Sequence, residues 1–275
     1  MWIRLVLTVV IIVAAFVALL FFAQHSFIYH PRKYPDGFDR TLPPRALQLE
    51  YITSAGQQRA FYLPPRSGAA MPQHLWVAFS GNASLALDWL ALVEHYPGES
   101  DAFLLIDYPG YGRSEGRASI SRTRASADAA LTNLATRLDV APADLTRNLC
   151  VLGLSLGSAA ALEFAAGHPI ERAVLIAPFT TLREEAATLF GRPLSYLLLE
   201  NYDNRSRLAE LARRDSPPRV AIFHGTADTL IPPRMGRELA ESAPEIAEFY
   251  PIEGATHDTV FSLAAHDVTA WMSRE

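Results

Sequence analysis

Gly153-Leu154-Ser155-Leu156-Gly157 sets a serine between two glycines, with an apolar run before it and an alanine-rich stretch behind. The G-x-S-x-G spacing suits a serine held on a strained strand-to-helix turn, where small neighbours let the chain fold back. A serine hydroxyl becomes a useful nucleophile only when a base takes its proton and a carboxylate orients that base. Downstream, in the order acid then histidine, stand Asp228 in Thr226-Ala227-Asp228 and His257 in Ala255-Thr256-His257. Each also has an ordinary alternative: Ser155 as a helix cap, Asp228 as a solvated turn acid, His257 as a surface or helix-capping histidine.

Attack on a carbonyl also needs donors for the oxyanion that develops. The backbone N–H of Leu156, directly after the serine, is one candidate. The loop Phe79-Ser80-Gly81-Asn82-Ala83 offers the other through the N–H of Asn82, with Ala83 as the alternative, unless it is a plain turn capped by Asn82 or Ser84. His224, His168 and His266 are less well placed, and Asp203 and Asp215 are reserve acids. Cys150 is the only cysteine, which excludes an internal disulfide and a cysteine-built metal site. Its apolar surroundings read as a buried strand. The chemistry calls for no metal or organic cofactor, and no phosphate loop or dinucleotide fingerprint is present.

The elements that must position these residues follow from hydrophobic patterning. Strand-like runs fall at 46–53, 59–63, 74–79, 102–107, 149–154, 173–177, 219–223 and 247–252, and helical stretches at 84–95, 121–138, 156–167, 233–242 and 259–273. The first two runs have no helix between them and predict a hairpin. From 74 onward strand and helix alternate, which predicts an α/β fold with a mostly parallel eight-stranded sheet, helices on both faces, and sites at the C-terminal strand ends. A chain of 275 residues, half of them hydrophobic, can bury one large core. Its net charge of −5 and lack of charge blocks argue against a nucleic-acid surface and leave small-molecule substrates.

Residues 5–23 form an uncharged apolar run. As a helix it would span about 28 Å, which predicts an N-terminal transmembrane helix and a membrane location, with the domain leaning to the extracytoplasmic side. Arg4 precedes that span, and Arg32, Lys33 and Arg40 follow it. The expected division is an anchor at 1–24, a proline-rich tether at 25–45 and a catalytic domain at 46–275, with a short helical cap insert at about 179–218. Within the insert, Leu189, Phe190, Leu194, Tyr196, Leu197, Leu198 and Leu199 are candidates for an acyl pocket, a bilayer-facing surface or a packed helix.

The segments FSGNAS, IDYPGYGRSEG, GLSLG, APFTTL, HGTADTLIP and GATHD resemble those of α/β-hydrolase fold serine hydrolases. The resemblance covers about residues 45–273 and is similar to the membrane-anchored branch with serine-aminopeptidase-like and monoacylglycerol-lipase-like members. It implies Ser155 as nucleophile, Asp228 as acid, His257 as base, and Asn82 after the glycine of the oxyanion loop. One departure is Ser80-Gly81, where the family usually carries His-Gly. The implied activity is cleavage of a carboxylic ester or thioester of an acyl-chain or lipid-like substrate through an acyl-enzyme. Two alternatives stay open: a peptidase whose Glu184, Glu185 and Glu200 hold a substrate ammonium, and a catalytically silent membrane-anchored binding protein.

Overall fold

The computed structural model of the protein describes residues 2–38 and 42–274. In chain order it comprises α1 (Trp2–Ile28), β1 (Leu47–Thr53), β2 (Gly56–Leu63), β3 (Leu75–Phe79), a 3-10 turn (Ala86–Trp89) running into α2 (Leu90–Val93), β4 (Ala102–Ile106), α3 (Ile120–Leu138) and α4 (Pro142–Leu145). There follow β5 (Leu149–Leu154), α5 (Leu156–Gly167), β6 (Arg172–Ile176), α6 (Leu182–Phe190), α7 (Arg192–Ser195), α8 (Asn204–Ala212), β7 (Arg219–Gly225), α9 (Pro233–Ser242), β8 (Ala247–Ile252) and α10 (Val260–Met272).

The eight strands make one sheet in the order β1-β2-β4-β3-β5-β6-β7-β8. The β1–β2 hairpin and the β2–β4 pair are antiparallel, and every other pairing is parallel. The parallel part is what near-continuous apolar strands produce, because helices cover both faces. β3, β4 and β6 are buried along their whole length. α3, α5, α8 and α9 pack on one face of the sheet. The 3-10 turn, α2 and α10 pack on the other.

Strand order reverses direction between β3, whose chain leads outward to β4, and β5, whose chain leads to β6. Loops leaving the C-terminal ends of these two neighbours diverge, and a crevice opens there. Both Ser155 and the 80–85 loop leave the sheet at that point.

The membrane expectation is corrected. Among the described residues no helix is long and apolar enough to cross a membrane, which removes the transmembrane helix at 5–23, the membrane partner and the extracytoplasmic placement. The run does form a helix, α1, whose described side chains such as Leu5, Val9 and Ile11 are exposed. Its last turns belong to the globular body. Ile28 is buried, the Leu199 N–H donates to Gln24 Oε1 at 2.7 Å, and the rings of Phe27 and Phe190 lie 6.0 Å apart. Residues after α1 are also fixed by contacts: the N–H of Gly112 donates to the Arg32 carbonyl at 2.8 Å, and Tyr34 donates to Asp107 at 3.1 Å. Arg40, and residues 39–41 of the proposed tether, lie outside the described residues.

Candidate active site

Ser155 sits between β5 and α5 with φ 54° and ψ −119°, a left-handed conformation that a side-chain-bearing residue rarely adopts. The two flanking glycines make the turn sterically possible. A Cβ on Gly153 would collide with the carbonyl oxygen of Gly157, and a Cβ on Gly157 with the carbonyl oxygen of Phe79. The serine N–H is held by the Ile176 carbonyl at 2.8 Å. Although Ser155 occupies the cap position of α5, its hydroxyl makes no capping bond.

That hydroxyl lies instead 3.1 Å from His257 Nε2. His257 Nδ1 lies 2.8 Å from Asp228 Oδ2. A carboxylate only accepts, so Nδ1 carries the ring proton and donates to Asp228, leaving Nε2 as the acceptor facing the serine. Asp228 comes from the loop after β7 and His257 from the loop after β8, which brings all three residues to one edge of the sheet. Asp228 is buried, and its Oδ1 accepts from the N–H groups of Leu230 and Ile231 at 3.0 and 2.9 Å. Burial alone would raise its carboxyl. The bonds from His224, His257 and the Ile231 N–H outweigh that effect and hold it well below the usual carboxylate range.

The remaining candidates fall elsewhere or play other parts. His224 is fully buried behind the acid, with Nε2 donating to the Ile231 carbonyl at 2.9 Å and lying 3.5 Å from Asp228 Oδ2. His168 pairs with Asp128 at 2.8 Å, and His266 lies on α10. Asp203 caps α8 through the Ser206 N–H, and Asp215 is exposed. Cys150 is buried, and burial pushes its thiol up.

Asn82 and Leu156 line one cavity together with Ser155. The Asn82 loop is fixed by groups that sequence reasoning did not identify. Its Ser80 carbonyl accepts from Tyr108 Oη at 2.5 Å. The Asn82 carbonyl accepts from Tyr111 Oη at 2.6 Å and from the His30 N–H at 3.0 Å. The Gly81 carbonyl accepts from the Ser84 N–H at 3.1 Å. Because a peptide's C=O and N–H point in opposite directions, anchoring the Gly81 and Asn82 carbonyls sets the aim of the Asn82 and Ala83 N–H groups. Both tyrosines belong to Asp107-Tyr108-Pro109-Gly110-Tyr111, within the segment IDYPGYGRSEG that carried part of the family resemblance. Ser80, which stands in for the usual histidine, donates from its hydroxyl to the Leu85 carbonyl at 2.9 Å and bridges the loop internally. Asp107 accepts from the Ala86 N–H at 3.0 Å beneath the loop, and burial pushes its carboxyl up to about 7.

The cavity has a volume of about 390 Å³. Phe179, Leu182, Leu189, Leu194 and Leu198 line it, together with Phe27 and Ile28 of α1. The latter pair was missed because it falls in the stretch at 25–45 expected to be a tether, whereas α1 continues through Ile28. Of the three acids considered for ammonium binding, Glu184 is paired with Arg205 at 3.0 Å, and Glu200 accepts from Tyr29 Oη and the Ile120 N–H, both at 3.1 Å. Glu185 alone faces the cavity.

A sequence model of the Alpha/beta hydrolase family matches residues 68–213. An uncharacterized protein of Mycobacterium tuberculosis is 31% identical over 259 residues, which covers 92% of this chain and 87% of the relative. Among solved structures, an esterase of Pyrococcus furiosus has a TM-score of 0.62 at 15% identity and covers 89% of this chain and 96% of its own. A propionate-bound esterase from the planctomycete Thermogutta terrifontis has a TM-score of 0.61 at 19% identity, with 84% and 92% covered. At these identities the structural likenesses establish the fold.

Proposed function

The chain belongs to the alpha/beta hydrolase family, and from that premise we propose that it is a serine esterase for carboxylic esters or thioesters with an apolar acyl chain. The observation that carries this reading is the continuous chain Ser155 Oγ, His257, Asp228, with links of 3.1 and 2.8 Å, whose serine lines an apolar cavity. His257 Nε2 takes the Ser155 proton as Oγ bonds to the substrate carbonyl carbon. The N–H groups of Leu156 and Asn82 hold the oxyanion. As the tetrahedral intermediate collapses, the carbon–oxygen or carbon–sulfur bond breaks and the leaving alcohol or thiol departs with the proton from His257. Water, deprotonated by the same imidazole, then attacks the acyl-enzyme and releases the acid and free Ser155. Asp228, ionised throughout, keeps the imidazole in the productive tautomer and stabilises its charged form.

The test is labelling by a fluorophosphonate probe together with hydrolysis of p-nitrophenyl acyl esters. Ser155→Ala should lose labelling completely and lower kcat by about 10⁴-fold or more. Labelling that survives in Ser155→Ala, or a folded wild-type chain that neither labels nor hydrolyses, rejects the reading.

A further inference from the structure

Glu185 lies on α6 and is 7% exposed, yet neither of its carboxylate oxygens has a hydrogen-bond partner. It faces the cavity that holds Ser155. Buried polar groups are normally paired, and a carboxyl left alone among apolar walls is destabilising, so its retention calls for a partner. Two other polar side chains lining the same cavity, Gln24 and Ser195, are already engaged. Gln24 bonds the Phe21 carbonyl and the Leu199 N–H, and the Ser195 hydroxyl donates to the Arg192 carbonyl at 2.9 Å. The charged groups whose fields reach Glu185 are Asp228, His257 and Arg234. Glu184, its neighbour on α6, is turned away to Arg205.

We propose that Glu185 is the specificity-determining residue of this pocket and recognises a hydroxyl group carried by the substrate, an inference that rests on the esterase reading above. A hydroxyl suits the site better than an ammonium. Burial first, and then repulsion from Asp228, push the Glu185 carboxyl up to about 7, so near neutrality it exchanges between charged and neutral forms. A hydroxyl serves both: it donates to the carboxylate and accepts from the carboxylic acid. An ammonium would need the charged form alone, would lose its own hydration in an apolar cavity, and would stand near Arg234 and the imidazolium that forms on His257. The hydroxyl can belong to the acyl part or to the alcohol part of the ester; the recognition chemistry is the same.

Matched esters separate these two sources. One arm compares p-nitrophenyl hexanoate with its positional hydroxyhexanoate isomers and with omega-aminohexanoate; the other compares ethyl hexanoate with hydroxyethyl hexanoate. The wild-type chain should prefer the hydroxylated member of at least one pair by about tenfold or more in kcat/KM. Glu185→Leu should abolish that preference and favour the plain ester, whereas Glu185→Gln, which keeps a hydrogen-bonding amide, should retain part of it. Binding of the same pairs to Ser155→Ala, measured by calorimetry, reads the discrimination without chemistry. Hydrolysis without discrimination, or discrimination that survives in Glu185→Leu, overturns the role of Glu185. Preference for the amino ester over every hydroxy ester overturns the hydroxyl assignment. If the wild type hydrolyses nothing while Ser155→Ala still discriminates through Glu185, the esterase reading fails and the recognition role stands. Should Glu185→Leu not fold, the partial loss in Glu185→Gln decides the matter.

Discussion

The floor of the cavity and its roof are built on different terms. The floor joins β3, β5 and α5 through contacts so close that Gly153 and Gly157 have no room for a methyl group, and it holds Ser155 in a strained conformation. Around it the strands are fully buried and the 80–85 loop is tied down carbonyl by carbonyl. The roof consists of α6, the single-turn α7 and the end of α1, and several of its large apolar side chains, among them Leu189 and Phe190, are about half exposed. A displacement of about 1 Å at the floor would break the serine–imidazole contact, because hydrogen bonds and attack trajectories tolerate little error. The roof supplies shape and an apolar lining, which many side chains provide. Strain is concentrated where position matters, and the surrounding packing holds it there.

The largest effect expected within this contrast comes from Gly157→Ala. Its Cβ would meet backbone atoms of Phe79 and Ser80, which cannot rotate away, so β3 and α5 must separate. Stability should fall by about 1–3 kcal/mol in denaturant titration, and kcat by about 100-fold or more in the folded fraction. Retention of wild-type activity would show that the floor is less constrained than its contacts indicate. A smaller effect belongs to Tyr111→Phe, which removes one of the two donors on the Asn82 carbonyl. The Asn82 loop should lose part of its aim, with kcat down by about 2- to 12-fold and KM little changed. A change confined to KM would place Tyr111 in substrate binding instead. At the roof, Leu189→Ala should leave stability within about 0.5 kcal/mol, since the side chain is more than half exposed. Its effect should be in selectivity between acyl chain lengths, at about fourfold per buried methylene lost. A stability loss comparable to that of Gly157→Ala would erase the distinction between floor and roof.

The same contrast governs what could be read in advance. All eight strands start within three residues of their expected starts, seven of them within one, and the apolar runs at 102–107 and 149–154 needed only their hydrophobicity to be identified. The helix expected at 84–95 divides into a 3-10 turn and the short α2, because Asp88 folds back onto the Leu85 N–H at 2.9 Å and tightens the first turn. The short α4, started by Pro142, gave no periodic signal. Ser155, Asp228 and His257 were nameable because each stands within a local pattern at a strand end. Tyr108, Tyr111 and His30 were not, since their contacts with Ser80 and Asn82 span dozens of residues and leave no local periodicity. The N-terminal segment shows the opposite failure: the apolar run at 5–23 reads as a membrane span followed by a tether, whereas α1 continues to Ile28 and its end lines the cavity beside α6.

By itself the sequence determined the alternation of strand and helix, the glycine-flanked serine and the order of the acid and histidine that follow it, because these depend on short-range sterics and hydrophobic period. Tertiary structure alone decided which side of α6 carries the unpaired Glu185, how the Asn82 loop is anchored, and that the end of α1 closes the cavity. Those outcomes depend on which distant surfaces are buried against one another, and burial is a property of the packed chain that no local segment contains.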